Sequence, residues 1–203
     1  MTKRNILAAV LAGLAMFLWG FVSHVVLGLG EVGMRDLPGE EKTLPVLRDN
    51  IKEPGFYYFP GEGGARTAAT KEQREAATKA WEDKCKAGPW GFVIYHPEGS
   101  VPMSPAQLGI QFLTDLVLGL LLAFGLNKTA ASFTCFGSRV AFAALFGLVA
   151  SVAFLLPYWN WYGFPANFVL ASLADQVIAF SLAGLVLAAM IKPPAPVAQS
   201  AAT

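Results

Sequence analysis

Hydrophobic residues fall into four long runs, at 6–29, 106–126, 140–156 and 166–191, separated by polar stretches of unequal length. An α-helix needs roughly 20 apolar residues to cross a hydrocarbon layer about 30 Å thick. Each run therefore predicts a transmembrane helix. The third is the shortest and stops at Pro157, but Tyr158, Trp159, Asn160, Trp161 and Tyr162 follow it. Such rings collect at membrane–water interfaces, which argues for a full span. The first run follows Lys3 and Arg4 as in a signal peptide, yet it is far longer than an h-region of roughly 7–15 residues and lacks a small-x-small cleavage site. It is read as an uncleaved anchor.

Between the first and second runs lies a polar island. A short helix is expected at 45–51, a strand at 56–59, a helix at 70–86 and a second strand at 92–95. Thr70 and Gln73 form a capping box, Gly88 and Pro89 stop the helix, and Gly61, Gly63 and Gly64 mark a mobile connection. Two short strands are marginal alone, so this domain is expected to lean on the membrane surface, the Trp-rich loop or a partner. The fold class that follows is membrane all-α: four transmembrane helices with a small α+β extracytoplasmic domain between the first and second. The expected divisions are 1–30, 31–105, 106–192 and a disordered Pro- and Ala-rich tail at 193–203.

Composition agrees: 55% of the residues are hydrophobic and 14% charged, against about a quarter charged in ordinary soluble domains. The formal net charge is +1, and the basic residues of the island are interleaved with acidic ones, which excludes the basic patch that nucleic acid requires. Lys3, Arg4, Lys128, Arg139 and Lys192 flank the spans on one side, whereas the short loop at 157–165 carries no Lys or Arg. By the positive-inside rule both termini are cytoplasmic, in a bacterial inner membrane. Cys85 and Cys135 then lie on opposite sides, and neither belongs to a CxxC pair.

Three segments carry a resemblance: 53–61 (Glu-Pro-Gly-Phe-Tyr-Tyr-Phe-Pro-Gly), 88–99 from Gly88-Pro89-Trp90-Gly91-Phe92 through Tyr95-His96-Pro97-Glu98-Gly99, and the aromatic 157–165. As a set they resemble a family of uncharacterised bacterial four-span membrane proteins. The resemblance spans most of the chain and implies location and architecture, with no activity, cofactor or catalytic residue to carry over.

The candidate chemistry is the set of polar groups inside the spans: His24, Gln111, Asp115, Asp175 and Gln176. An ionisable group at such a depth costs roughly 2.5–3.5 kcal/mol even on a lenient scale, so something must compensate it. Asp115 and Asp175 are expected at similar depth, each on a stripe of mostly small residues: Gln111, Asp115, Gly119, Ala123 and Ala171, Asp175, Ala179, Ala183. Small stripes allow close helix approach, so both carboxyls should face the bundle interior and can face one another. Ala9, Gly13, Gly20 and His24 form a similar face in the first span. Pro105-Ala106 precedes Asp115 as Pro165-Ala166 precedes Asp175, the pattern a duplicated hairpin would leave.

Three readings compete. In the leading one, the protein is a non-enzymatic accessory or interaction subunit whose Asp and His side chains bond Gln111, Gln176, Thr114 or Ser172 to fix helix packing. In the second, Asp115, Asp175 and His24 line a path for a proton, cation or small solute, with a homo-oligomer supplying the missing helices. In the third they form an intramembrane enzyme or metal site, although the chain has only two His and no HExxH, GxSxG, Walker or CxxC pattern. No cofactor or metal is expected. Tyr158, Trp159, Trp161 and Tyr162 read as interface anchors, with a lipid or quinone headgroup site as the alternative, and Trp19 reads as packing.

Overall fold

The structure is a computed structural model and describes residues 2–65 and 67–192; the tail at 193–203 lies outside the described residues. In chain order the elements are α1 (Lys3–Phe21), α2 (Glu40–Asn50), β1 (Gly55–Phe59), α3 (Lys71–Ala87), β2 (Gly91–Tyr95), α4 (Pro105–Thr129), α5 (Phe136–Tyr162) and α6 (Ala166–Met190). They form two compact units, one built from residues up to Met34 together with those from Pro102 onward, the other from Arg35–Val101.

The first unit holds four helices long and apolar enough to cross a membrane: Lys3–Val26, Pro105–Thr129, Phe136–Tyr162 and Ala166–Met190. Their starts have local causes. Thr2 accepts from the Asn5 N–H at the head of α1, and Ser104 with Gln107 closes a capping box around Pro105 at the first position of α4. α5 runs well beyond the expected end at 156, straight through Pro157, and takes the aromatic cluster into its last turns. A proline removes a single backbone N–H, and in a helix this long the turns on either side carry the ladder past it. The stop comes at Gly163, whose φ of 71° is left-handed, with the Phe164 N–H reaching back to the Tyr158 carbonyl.

α1 packs between α4 and α6, and α5 covers the other side of α6. The core is mostly alanine, with Ala8, Ala9, Ala12, Ala123 and Ala183 fully enclosed beside Leu126 and Leu187. Glycine lets backbones touch. A Cβ on Gly13 would stand 2.7 Å from the Asp115 carbonyl oxygen and 2.8 Å from the Leu116 Cα, and one on Gly119 would collide with the Ala9 carbonyl. Small residues at the contact are what let helix backbones approach this closely.

In the second unit β1 and β2 pair antiparallel, with Phe56 opposite Ile94 and Tyr58 opposite Phe92. α3 starts at a complete Thr70–Gln73 capping box, as expected. Its Trp81 donates to the Pro60 carbonyl at 3.0 Å, and its Cys85 sulfur lies 3.6 Å from the Tyr58 hydroxyl. Phe92 stacks on Phe56 and tilts against Tyr58, with centroids 5.0 and 4.9 Å apart. α2 begins five residues earlier than expected, because Gly39 takes a left-handed conformation (φ 66°) and its carbonyl receives the Lys42 and Thr43 N–H groups, placing Pro45 inside the helix.

Candidate functional site

Both carboxyls are buried among the helices, Asp115 at 5% and Asp175 at 7% exposure. They are held by different partners. Gln111, one turn earlier on α4, aims its Nε2 at both Asp115 oxygens, at 3.1 and 3.2 Å. Asp175 on α6 accepts the indole N–H of Trp19 on α1 at 2.7 Å. Because α1 stands between α4 and α6, Asp115 belongs to one interface and Asp175 to the other, and among the described residues no hydrogen bond joins them. Trp19 is thus more than packing. The sequence held a signal for it, a donor with no acceptor role placed in a span, but nothing that named its partner across 156 positions.

The remaining expected residues scatter. After Phe21 the first span changes from α to π geometry over Val22–Val26, with the Leu27 N–H bonding five residues back to Val22. Here Ser23 is fully buried and bonded to the Gly20 carbonyl while His24 is exposed; Ser23 lies seven residues, two helical turns, after the buried Met16. The inward face of α1 therefore continues into Ser23 and not into His24, whose ring packs beside Gly30. Gln176 is exposed, and Thr114 bonds back to the Ile110 carbonyl at 2.9 Å; neither bonds an Asp or a His. Among the described residues no three His, Cys, Asp or Glu side chains gather as a metal would require.

At the aromatic end of α5, Phe154, Tyr158 and Tyr162 stack every fourth residue, with centroids 4.5 and 5.1 Å apart, and Tyr158 also meets Phe164 edge-on. Trp159 and Trp161 project outward, Trp161 at 74% exposure. The opposite end of the helical unit is tied by polar clamps that the sequence did not reveal. Asn5 donates to Asn127 at 2.6 Å, joining the start of α1 to the end of α4. Arg139, buried in the first turn of α5, donates to the Ile191 carbonyl and so satisfies the end of α6. From the sequence Arg139 had counted only as a topological charge.

No protein-family model matches the chain, and neither the curated proteins nor the solved structures include a match to it.

Proposed function

We propose that this chain is a non-enzymatic integral protein of a bacterial inner membrane, crossing it four times with both termini in the cytoplasm. It acts as an accessory or interaction subunit and offers its Arg35–Val101 unit to a protein partner on the outer side. The observation that carries this reading is the separate engagement of the two buried carboxyls: each is tied to a neighbouring amide or indole on its own side of α1. Groups arranged this way fix helix positions, whereas a relay needs them in reach of one another.

Two further features support it. Large apolar side chains are exposed all around the helices, among them Leu113, Leu121, Phe154 and Leu170 at 60–65%. A surface of that kind suits lipid. In the smaller unit Ile94 and Trp90 are open, at 69% and 50%. A two-stranded sheet with exposed apolar side chains gains stability from a partner.

The test is affinity purification of the full chain in mild detergent after mild cross-linking. A stoichiometric partner is expected, lost in a Trp90→Asp, Ile94→Asp variant and kept in Trp19→Phe. If the chain purifies alone, and in proteoliposomes drives a proton or cation flux that Asp175→Asn abolishes, the interaction reading falls and the translocation reading replaces it.

A further inference from the structure

We propose that the end of the helical unit where α1 begins and α4 ends binds the phosphate headgroup of an anionic phospholipid from the adjoining leaflet. The proposal rests on the membrane-spanning reading above. Five cationic residues gather near the helix ends on this side: Lys3 and Arg4 before α1 turns inward, Lys128 at the end of α4, Arg139 at the start of α5 and Lys192 after α6. The clamps decide which of them meet. Asn5 and Asn127, bonded at 2.6 Å, bring together the helix ends that carry Arg4 and Lys128, and the Arg139 bond to the Ile191 carbonyl brings the segment before Lys192 to the head of α5.

Arg139 is buried and committed to that carbonyl, but Lys3, Arg4, Lys128 and Lys192 are exposed. None of the four has an acidic partner among the described residues. Near these helix ends the sequence is free of acids: residues 1–30, 116–174 and 176–203 contain no Asp or Glu. The closest acid along α4 is Asp115, twelve residues before Asn127 and so about 18 Å away at helical rise, already bonded by Gln111. Positive charge is therefore concentrated at this end of the helical unit, with no acidic partner among its described residues.

What surrounds the charge selects the ligand. The Lys128 ammonium lies 5.8 Å from the Phe124 ring centroid, and Leu7 and Phe124, a turn further in, are exposed at 53% and 52%. A cationic rim above an apolar flank fits a molecule with an anionic head and acyl chains better than a soluble phosphate, which would use the rim alone. A zwitterionic lipid brings its own cation to the same rim and gains less.

The experiment uses the full chain in detergent, titrated with phosphatidylglycerol or with phosphatidylcholine of identical acyl chains, and counts retained lipids by native mass spectrometry. Wild type should retain phosphatidylglycerol preferentially. Lys3→Gln, Arg4→Gln, Lys128→Gln should lose on the order of a hundredfold in that preference, about fivefold for each cation. Lys3→Arg, Lys128→Arg should keep it. If the triple variant does not fold, the exposed Lys128→Gln alone must still lose about fivefold. Equal retention of both lipids by wild type, an unchanged preference in the Gln variants, or displacement of the lipid by millimolar inorganic phosphate overturns the site. The membrane reading fails by a different sign: a chain that stays dissolved once detergent is removed.

Discussion

Replacing Gly119 by alanine should separate α1 from α4. The added Cβ would meet the Ala9 carbonyl and lie 2.8 Å from the Gly13 nitrogen and 3.2 Å from its Cα, all backbone atoms that no side-chain rotation can move aside. Ordinary carbon contacts sit at about 3.5–4.0 Å, so the two helices must part by roughly 1 Å. A gap of that size forfeits about a quarter to a half of the dispersion attraction along the seam. Overpacking of this kind costs about 1–3 kcal/mol, which for a chain of this length is a fall of roughly 2–12 °C in Tm. The control is Gly20→Ala on α1, where nothing lies within 4 Å of the new atom and helix propensity alone should make the change neutral or stabilising by up to about 1 kcal/mol. Both variants are compared by thermal unfolding of the full chain in the same detergent. If Gly119→Ala melts with Gly20→Ala, the backbone contact between α1 and α4 is not what the structure says it is.

Trp19→Phe leaves the Asp175 carboxyl buried without its donor, and a double-mutant cycle with Asp175→Leu should give a coupling of about 0.5–2 kcal/mol; strict additivity would show that the 2.7 Å bond contributes nothing. In a Cys85→Ser background, the pH profile of alkylation should place the Cys135 thiol midpoint below 9.0, because Ser138 at the start of α5 hydrogen-bonds it, and Ser138→Ala should move the midpoint back up. Tyr58 behaves in the opposite sense: its hydrogen bond to Cys85, with burial second, holds the phenol above 10.0. The proton is therefore bound more tightly in the folded state, and the stability this contributes is complete below pH 10.0 and lost as pH rises through the folded value. The difference in tyrosinate titration between wild type and Tyr58→Phe should have its midpoint above 10.0; one at or below it contradicts the contact.

The four apolar helices were legible because length and hydropathy are properties of a segment by itself. The same holds for the Thr70 helix start, where the capping groups sit three residues apart. What escaped were features set by other parts of the chain or by departures from regular geometry. Pro157 reads as a stop to any local rule, yet α5 continues to Tyr162. His24 was placed inward on a small-residue stripe with Gly20, but the packed face runs through Met16 to Ser23 instead. Asp115 found its local Gln111, four residues away, as the sequence allowed. Asp175 and Trp19, like Asn5 and Asn127, are pairs that only the packing of distant helices could specify.

The central place of α1 carries a consequence for biogenesis. α1 is made well before the helices it packs on: its side-chain bonds reach 122 residues ahead to Asn127 and 156 ahead to Asp175. On the four-span reading proposed above, this segment waits in the bilayer as a lone helix until α4 and α6 are made. The α5–α6 hairpin, with only a short turn between its arms, can close as soon as it is made. Early synthesis and late docking leave the nascent first span as a natural client for whatever machinery shelters unpaired helices in the membrane.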